Sequence, residues 1–232
     1  ELELIGTDWK KTGWNEKALL TYSVPVDCSS RVAEYTGDGG GATVKDRAGN
    51  GNNLTATDIT YVNGKYGKAI KGNGSSAYAI ASSPVIGTTG TIAFYGTIPS
   101  IDFKFIFDNR NVVDYGVNGV ALLRSSSTTL SFRACKADAS QYVFNIPITT
   151  SNKSVVITFD GTNAIAYVDG VQVATTTFVV IPGTSNLNIL RHVSGGGYSD
   201  SQIDRIRYDS RIWTADEVRA WSLNPISIDS RV

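Results

Sequence analysis

Methionine, cysteine and histidine are scarce in this chain, and their scarcity excludes several kinds of site. The 232 residues include no methionine, two cysteines and one histidine. Cys28 and Cys135 lie far apart and form no CxxC pair, so the ligand spacing of a zinc site is missing. Any catalytic arrangement built on a histidine must pass through His192, which we interpret as a solvated or hydrogen-bonded residue at a strand end beside a glycine loop.

The two cysteines leave two interpretations open. They can form one disulfide that closes a long loop, as in a secreted β-domain. They can equally be two separate buried thiols that pack as small hydrophobic side chains. The spacing of Cys28 and Cys135 is compatible with both.

Excess charge and long apolar runs are absent as well. Lys plus Arg and Asp plus Glu both number 21, so the chain has no net charge and no long-range field that would attract a polyanion. Nucleic acid is therefore not expected as a partner. No apolar run approaches the roughly 20 residues that cross a bilayer, so we expect no membrane insertion.

The abundant residue types indicate a globular β-protein. Hydrophobic residues make up 41% of the chain, which is enough for a sizeable core, and the 23 glycines predict many turns. Turn signals recur without a linker between them. We therefore predict one domain over residues 31–232, preceded by an extension over residues 1–30 that packs on the domain or on a neighbouring subunit.

The most informative stretch, SVVITFDGTNAIAYVDGVQVATTT, begins at Ser154. Its apolar residues alternate in two runs, which predicts a three-stranded meander. The turns are expected at Asp160-Gly161 and Asp169-Gly170, which supply the positive φ angles that tight hairpin turns need and that glycine tolerates. The residues predicted to share the buried face are Val155, Ile157, Phe159, Ile165 and Tyr167.

Two further elements are predicted from local patterns. Phe103, Phe105 and Phe107 alternate, which predicts a half-buried strand with the three rings on one face. The segment WTADEVRAWSLNP predicts a helix near the C-terminal end, with Thr214 as the N-cap and Glu217 completing a capping box. The carboxylate of Glu217 thus has a structural explanation before any catalytic one.

Five segments carry a resemblance to a known family. In chain order they read KDRAGNGNNLT, NGKYGKAIKGNGSSAYAIASSP, TIAFYGTI, SVVITFDGTNAIAYVDGVQV and IDRIRYDSRIWTADEVRAW. Together they resemble the laminin-G-like branch of the concanavalin A-like superfamily, found in bacterial surface proteins and phage structural proteins, although Tyr95 replaces the family's usual tryptophan. The resemblance covers about residues 31–223. It implies an all-β fold, a two-sheet antiparallel jelly-roll sandwich with one short C-terminal helix.

This resemblance alone does not choose a function, because the superfamily includes lectins, adhesion modules and glycoside hydrolases. Retaining glycosidases on this fold display two carboxylates about 5 Å apart from a Glu-x-Asp-x-x-Glu pattern. The chain lacks that pattern, and its nearest segment, IDRIR at 203–207, has arginines where the second acid would stand. We predict a non-catalytic recognition or assembly module that is extracellular, on a cell surface or in a virion. A carbohydrate-active enzyme with an atypical site is the alternative.

The predicted partners are a glycan or cell-surface polysaccharide, or the neighbouring subunits of a virion or surface assembly. A lectin needs exposed aromatic side chains on its rim loops, since aromatic faces stack on sugar rings. The candidates for this role are Tyr115, Tyr142 and Tyr198.

Calcium is the cofactor that the resemblance suggests, because the family often holds Ca²⁺ at the rim of the sandwich. Asp46, Asn50 and Asp204 match the relevant family segments. A structural explanation exists for the same residues. Asp46 and Asn50 can form an Asx-type turn, and the carboxylate of Asp204 can accept hydrogen bonds from backbone N–H groups.

Overall fold

The computed structural model is a two-sheet antiparallel jelly-roll sandwich with one short helix near its C-terminal end, as the sequence predicts. It describes residues 3–5, 8–10, 29–82, 86–111, 118–136, 138, 140–149, 153–183 and 185–224, with only the backbone of residues 3–5 and 8–10. Within these ranges, no helix is long and apolar enough to cross a membrane.

Sheet 1 contains eight antiparallel strands. Across the sheet they are, in order, β13 (Gln141–Pro147), β12 (Thr129–Cys135), β11 (Val120–Ser126), β10 (Phe105–Asp108), β17 (Leu187–Ile189), β8 (Tyr78–Ala81), β5 (Leu54–Thr57) and β4 (Thr43–Val44).

Sheet 2 lies on the other side of the core. Its strands are, in order, β16 (Val171–Thr177), β15 (Asn163–Val168), β14 (Ser154–Phe159), β9 (Gly90–Gly96), β18 (Gln202–Asp209), β7 (Lys68–Lys71) and β6 (Thr60–Asn63). A further strand, β3 (Arg31–Thr36), pairs with β18 beyond the point where β7 ends. Two short strands, β1 (Glu3–Ile5) and β2 (Asp8–Lys10), pair with each other.

The core lies between the two sheets because each strand turns alternate side chains inward. Phe132 of sheet 1 stacks on Phe178 with ring centroids 4.9 Å apart, and Phe159 of sheet 2 contacts the same cluster. Val155, Ile157 and Phe159 all belong to this core, so the prediction for β14 is confirmed.

The prediction for β15 is wrong. Ala164, Ala166 and Val168 face the core, whereas Ile165 and Tyr167 lie on the outer face of sheet 2. The outer face is itself buried under the C-terminal helix, so β15 has apolar residues on both faces. The alternation of apolar residues along β15 therefore does not show which face points to the core.

The prediction that Phe103, Phe105 and Phe107 share one face is also wrong. The pairing of β10 with β11 shifts register between Phe105 and Phe107, as at a β-bulge. Phe107 consequently enters the core, while Phe105 lies on the outer face of sheet 1. Phe103 precedes the strand, in a turn with φ of 59°.

The two Asp-Gly turns have different conformations. Asp169 and Gly170 both have positive φ, 49° and 82°, as predicted. At the other turn only Gly161 does, with φ of 90°. There the carboxylate of Asp160 accepts the N–H groups of Thr162 and Asn163, which closes an Asx-type turn instead.

The helix α1 (Ala215–Leu223) begins as the sequence predicts. The Thr214 hydroxyl accepts the Glu217 N–H, and the Glu217 carboxylate accepts the Thr214 N–H at 2.7 Å. Trp213 and Trp221 pack together with ring centroids 5.4 Å apart, in a buried cluster on the outer face of sheet 2. Helix α1 thus closes that face.

Most of the predicted N-terminal extension lies outside the described residues, so its packing stays a prediction. Cys28 also lies outside them, and the two interpretations of the cysteines remain open. Cys135, at the end of β12, is buried.

Candidate functional site

The two outer faces of the sandwich differ. Helix α1 packs on the outer face of sheet 2, whereas the outer face of sheet 1 carries polar and aromatic side chains. In-register pairing places Asp108, Ala121, Arg133 and Val143 in one row across four neighbouring strands. Phe105, Ala121 and Leu123 form a small buried apolar cluster in this face. Charged side chains therefore stand above an apolar floor, where their interactions are less screened than in open solvent.

Asp108 is the buried centre of this face. Its carboxylate accepts two hydrogen bonds from Arg110, from Nε at 2.9 Å and from a terminal nitrogen at 2.9 Å. It also accepts the Arg110 N–H at 3.1 Å and the Val193 N–H at 3.2 Å. The Arg110 guanidinium lies 5.5 Å from the Phe105 ring centroid, so the ion pair is fixed against the apolar floor.

His192 lies beside this ion pair, in the loop that follows β17. Its Nδ1 accepts the Ser194 N–H at 3.1 Å, which assigns the ring proton to Nε2, 3.6 Å from Asp108. Its ring meets Phe105 edge-on, with centroids 4.8 Å apart. Burial lowers the pKa of His192 and Arg110 lowers it further, although Asp108 opposes both. The loop position was predicted, but the contact with Asp108 was not.

Arg133 stands in the same row and has no acidic partner among the described residues. Its Nε is buried without a hydrogen-bond acceptor. Burial lowers the pKa of its guanidinium, nearby Arg110 lowers it too, and Asp108 only partly compensates. The cationic form is thus held in an unfavourable position by the strands that surround it.

An aromatic rim, defined here as Tyr78, Phe103 and Tyr198, borders the same face. Tyr78 and Tyr198 lie with ring centroids 6.4 Å apart, and the Arg191 guanidinium sits 3.4 Å above the Tyr78 ring. The loop of glycines leading to Tyr198 passes close to Phe103, whose carbonyl oxygen would lie 3.3 Å from a Cβ at Gly197. The rim is therefore continuous with the loop that holds His192.

Phe103 is the most exposed member of this rim, at 64% of its surface. Its backbone is in the left-handed region, which disfavours a bulky side chain. The conformation is fixed by neighbours: the Phe103 N–H donates to Arg124 O at 2.7 Å, and Arg124 Nε pairs with Asp102 at 2.9 Å. Asp200 accepts the Ser100 N–H at 2.9 Å on the other side of the loop.

The three predicted sugar-binding tyrosines have separate environments. Tyr198 lies in the aromatic rim. Tyr142 is half-buried against Phe178, at 5.8 Å between ring centroids, with Lys136 Nζ 4.5 Å from its ring. Tyr115 lies outside the described residues. The sequence did not point to Phe103, Tyr78 or the arginines, because the bulge in β10 and the pairing between distant strands decide which residues share this face.

The three predicted calcium ligands have hydrogen-bonding partners of their own. The Asp46 carboxylate accepts the N–H groups of Glu34, Ala48 and Asn52. Asn50 donates to backbone carbonyls of β3, and Asp204 accepts the Lys65 N–H at 2.6 Å. Throughout the described part of the chain, no group of three or more His, Cys, Asp and Glu residues could hold a metal ion.

The buried carboxylates of the described residues likewise have partners. Four of them pair with arginine, and the other two accept backbone N–H groups. The six, with a partner of each, are Glu34 (Arg31), Asp46 (Ala48 N–H), Asp108 (Arg110), Asp204 (Lys65 N–H), Asp209 (Arg207) and Glu217 (Arg211). This arrangement favours structural and binding roles over acid–base chemistry.

Comparison with known proteins gives one family and a set of related folds. A family model of laminin-G type, described as the concanavalin A-like lectin/glucanases superfamily, matches residues 71–219, more than half of the chain. No curated protein matches the chain in sequence.

Three solved structures illustrate the fold similarity. The binding domain of Paraclostridial Mosquitocidal Protein 1 has 14% identity and a TM-score of 0.67, over 84% of this chain and 52% of its own. The Botulinum Neurotoxin Type G Receptor Binding Domain has 15% identity and a TM-score of 0.68, over 84% and 51%. The binding domain of Botulinum neurotoxin DC, in complex with rat synaptotagmin II, has 12% identity and a TM-score of 0.67, over 84% and 52%. At these identities the likeness shows the fold alone, and this chain spans about half the length of each structure.

Proposed function

Because the chain belongs to the concanavalin A-like lectin/glucanases superfamily, we propose that it is a non-catalytic binding module that recognises a glycan on the outer face of sheet 1. The observation that carries this proposal is the conformation of Phe103. A ring that is 64% exposed gains little from folding, yet the residue is held in the left-handed region. Strain at an exposed aromatic residue favours a role in ligand binding over one in stability.

The surroundings of Phe103 fit the recognition of a sugar. Aromatic faces stack on the apolar faces of pyranose rings, and polar groups beside them supply hydrogen bonds. Tyr198 and Tyr78 provide further rings, and Arg191, whose Nε donates to Asn188 at 2.9 Å, lies over the Tyr78 ring. The rim therefore combines stacking surfaces with charged donors at one edge of the sheet.

Two observations support binding without catalysis. The buried carboxylates of the described residues are occupied by arginines, backbone N–H groups or the helix cap, and so are poorly placed to attack or protonate a glycosidic bond. Two of the similar solved structures are named as a binding domain and a receptor-binding domain. We propose that this module acts outside the cell, on a cell surface or in a virion.

A glycan array tests the proposal directly. We expect the full chain to bind a subset of immobilised glycans and the Phe103→Asn variant to lose that signal. Val171→Asn is the matched control, because Val171 is equally exposed, at 66%, but lies in sheet 2. A blank array, or equal binding by both variants, would overturn the assignment of this face. Release of new reducing ends from a bound glycan would instead support the enzyme alternative.

A further inference from the structure

We propose that the glycan recognised by this face is acidic and that Arg133 binds its carboxylate. The inference rests on the proposed function and adds the chemical class of the ligand. It starts from Arg133, a cation on the outer face of sheet 1 that forms no ion pair with another described residue.

Register fixes the direction in which Arg133 points. It pairs with Ala121 on one side and with Val143 on the other, and its chain neighbours Phe132 and Ala134 enter the core. Alternation along β12 therefore directs Arg133 outward. Its Nε is buried and has no acceptor, and no ion pair joins it to another described residue.

The nearby carboxylate cannot take this role. Asp108 already accepts a bidentate pair of hydrogen bonds from Arg110 and the Val193 N–H. A guanidinium with a buried Nε–H that lacks an acceptor is costly, and a planar carboxylate matches the fork of N–H groups of arginine. A ligand carboxylate would supply an acceptor that the described residues do not.

Gln141 adds a second donor on the same face. It pairs with Cys135, two residues beyond Arg133 on β12, so Arg133 and Gln141 are diagonal neighbours about 7–8 Å apart. Gln141 Nε2 is buried and also has no acceptor. Arg133 and Gln141 thus place two buried N–H donors without a described acceptor at diagonal positions of this face, which favours a ligand rich in acceptor oxygens.

The local charge agrees with this assignment although the whole chain is neutral. Arg110, Arg133 and Arg191 lie on or beside the face, and among the described residues Asp108 is the one buried carboxylate in it. Asp102, near the rim, is paired with Arg124. The attraction is therefore local, and it selects an acidic group on a ligand without drawing polyanions from a distance.

The ligand must be longer than one sugar ring to use both parts of the face. Strands β12 and β10 are separated by β11, so Arg133 lies about 10 Å from β10 across the sheet. Phe103 lies beyond the start of β10. An acidic oligosaccharide can place one ring on Phe103 and a carboxylate at Arg133.

Calorimetric titration of the full chain tests this inference. The probes are oligouronates, the same oligosaccharides with their carboxyl groups reduced, and sulfated oligosaccharides of equal length. We expect oligouronates to bind best, and Arg133→Gln to weaken their binding by at least about tenfold. Arg133→Lys keeps the charge without the planar fork, so its loss should be smaller. The control is Arg219→Gln, an exposed arginine on helix α1.

Each outcome has a distinct meaning. Preferential oligouronate binding that depends on Arg133 supports the inference. Equal binding of carboxyl-reduced probes, with Phe103→Asn still abolishing it, overturns the inference but leaves the proposed function intact. Preference for sulfated probes overturns the carboxylate assignment. Unchanged affinity in both Arg133 variants, with a urea midpoint that shows they are folded, also overturns it.

Discussion

Several residues on the outer face of sheet 1 are held in states that stability alone does not favour. Phe103 is exposed and left-handed, His192 is a partly buried imidazole, and Arg133 is a cation that no described acidic residue pairs with. Each is positioned by neighbours whose own bonds are well satisfied, such as Arg124 and Asp108. Concentration of such residues on one face is typical of a binding site.

Replacing Phe103 should separate stability from binding. Asparagine tolerates the left-handed region, whose cost for other residues is about 1–2 kcal/mol, and little buried surface is lost because the ring is 64% exposed. We expect Phe103→Asn to unfold in urea at the same or a higher concentration than the wild type. A clear fall in the urea midpoint would mean that the ring stabilises the fold, which would weaken the argument for function.

His192 should make the folded protein less stable at acidic pH than at neutral pH. Its folded pKa lies below the unfolded value of 6.5, so the unfolded chain takes up the proton more readily. Its contribution to stability is complete above the unfolded pKa and declines as the pH falls through the folded pKa. The groups that face it are Asp108, which opposes the shift, and Arg110, which reinforces it.

The measurement compares urea midpoints at about pH 7.5 and about pH 5 for the wild type and His192→Asn. Asparagine keeps an acceptor for the Ser194 N–H but has no titratable group. We expect the wild type to lose more stability than the variant on acidification. An equal loss in the two proteins would show that His192 does not titrate in this window.

Calcium binding by Asp46, Asn50 and Asp204 stays a prediction. The hydrogen bonds that the carboxylates of Asp46 and Asp204 already accept argue against it. The oxygens of Asp46 accept three backbone N–H groups, and one oxygen of Asp204 accepts another. An oxygen that accepts N–H groups is poorly directed toward a cation. We expect EDTA to leave the melting temperature unchanged, with excess Ca²⁺ as the reverse test. A fall with EDTA that Ca²⁺ restores would establish a site.

Among the helices and strands, the capping motif of α1 was a reliable predictor of structure, whereas the alternation of apolar residues was less reliable. The capping box of α1 depends on two residues three apart, and it is present. The inner face of β15 was misassigned because Ile165 and Tyr167 pack against the cluster that includes Trp221. Helix α1 covers the outer face of β15, so both faces of this strand are apolar. The sequence of the strand alone does not show which face a distant helix will cover.

The helix cap gives a test of the local signal. Removing the Thr214 hydroxyl leaves the Glu217 N–H without its acceptor, and such losses cost about 1 kcal/mol. We expect Thr214→Ala to lower the urea unfolding free energy by about that amount and Thr214→Ser to retain most of it. Equal stability of the two variants would indicate that the helix is held by Trp213 and Trp221 packing alone.

For the whole molecule, the order of motifs predicted the sandwich but not the face that we propose for binding. Motif order reports connectivity, which the fold largely follows. The composition of this proposed face depends on pairing between residues far apart in the chain, as when Arg133 and Asp108 share a row through Ala121. A one-residue register change reverses which side chains point outward, and the bulge in β10 is such a change. The exposure of Phe103 and the donors of Arg133 and Gln141 without a described acceptor therefore become visible only in the assembled sheet, not in the sequence.

The role of the N-terminal segment, residues 1–30, can be tested because the sandwich is built from other residues. Both sheets, the core and helix α1 are built from residues 29–224, whereas β1 and β2 pair only with each other among the described strands. We therefore expect a fragment of residues 29–232, which differs from the full chain only at the N-terminal end, to unfold cooperatively in urea and to bind the same glycans as the full chain. If residues 1–30 instead serve assembly, light scattering should show the full chain self-associating and the fragment monomeric. A fragment that fails to fold would make the N-terminal segment part of the domain, because the sandwich would then need contacts that these strands do not supply.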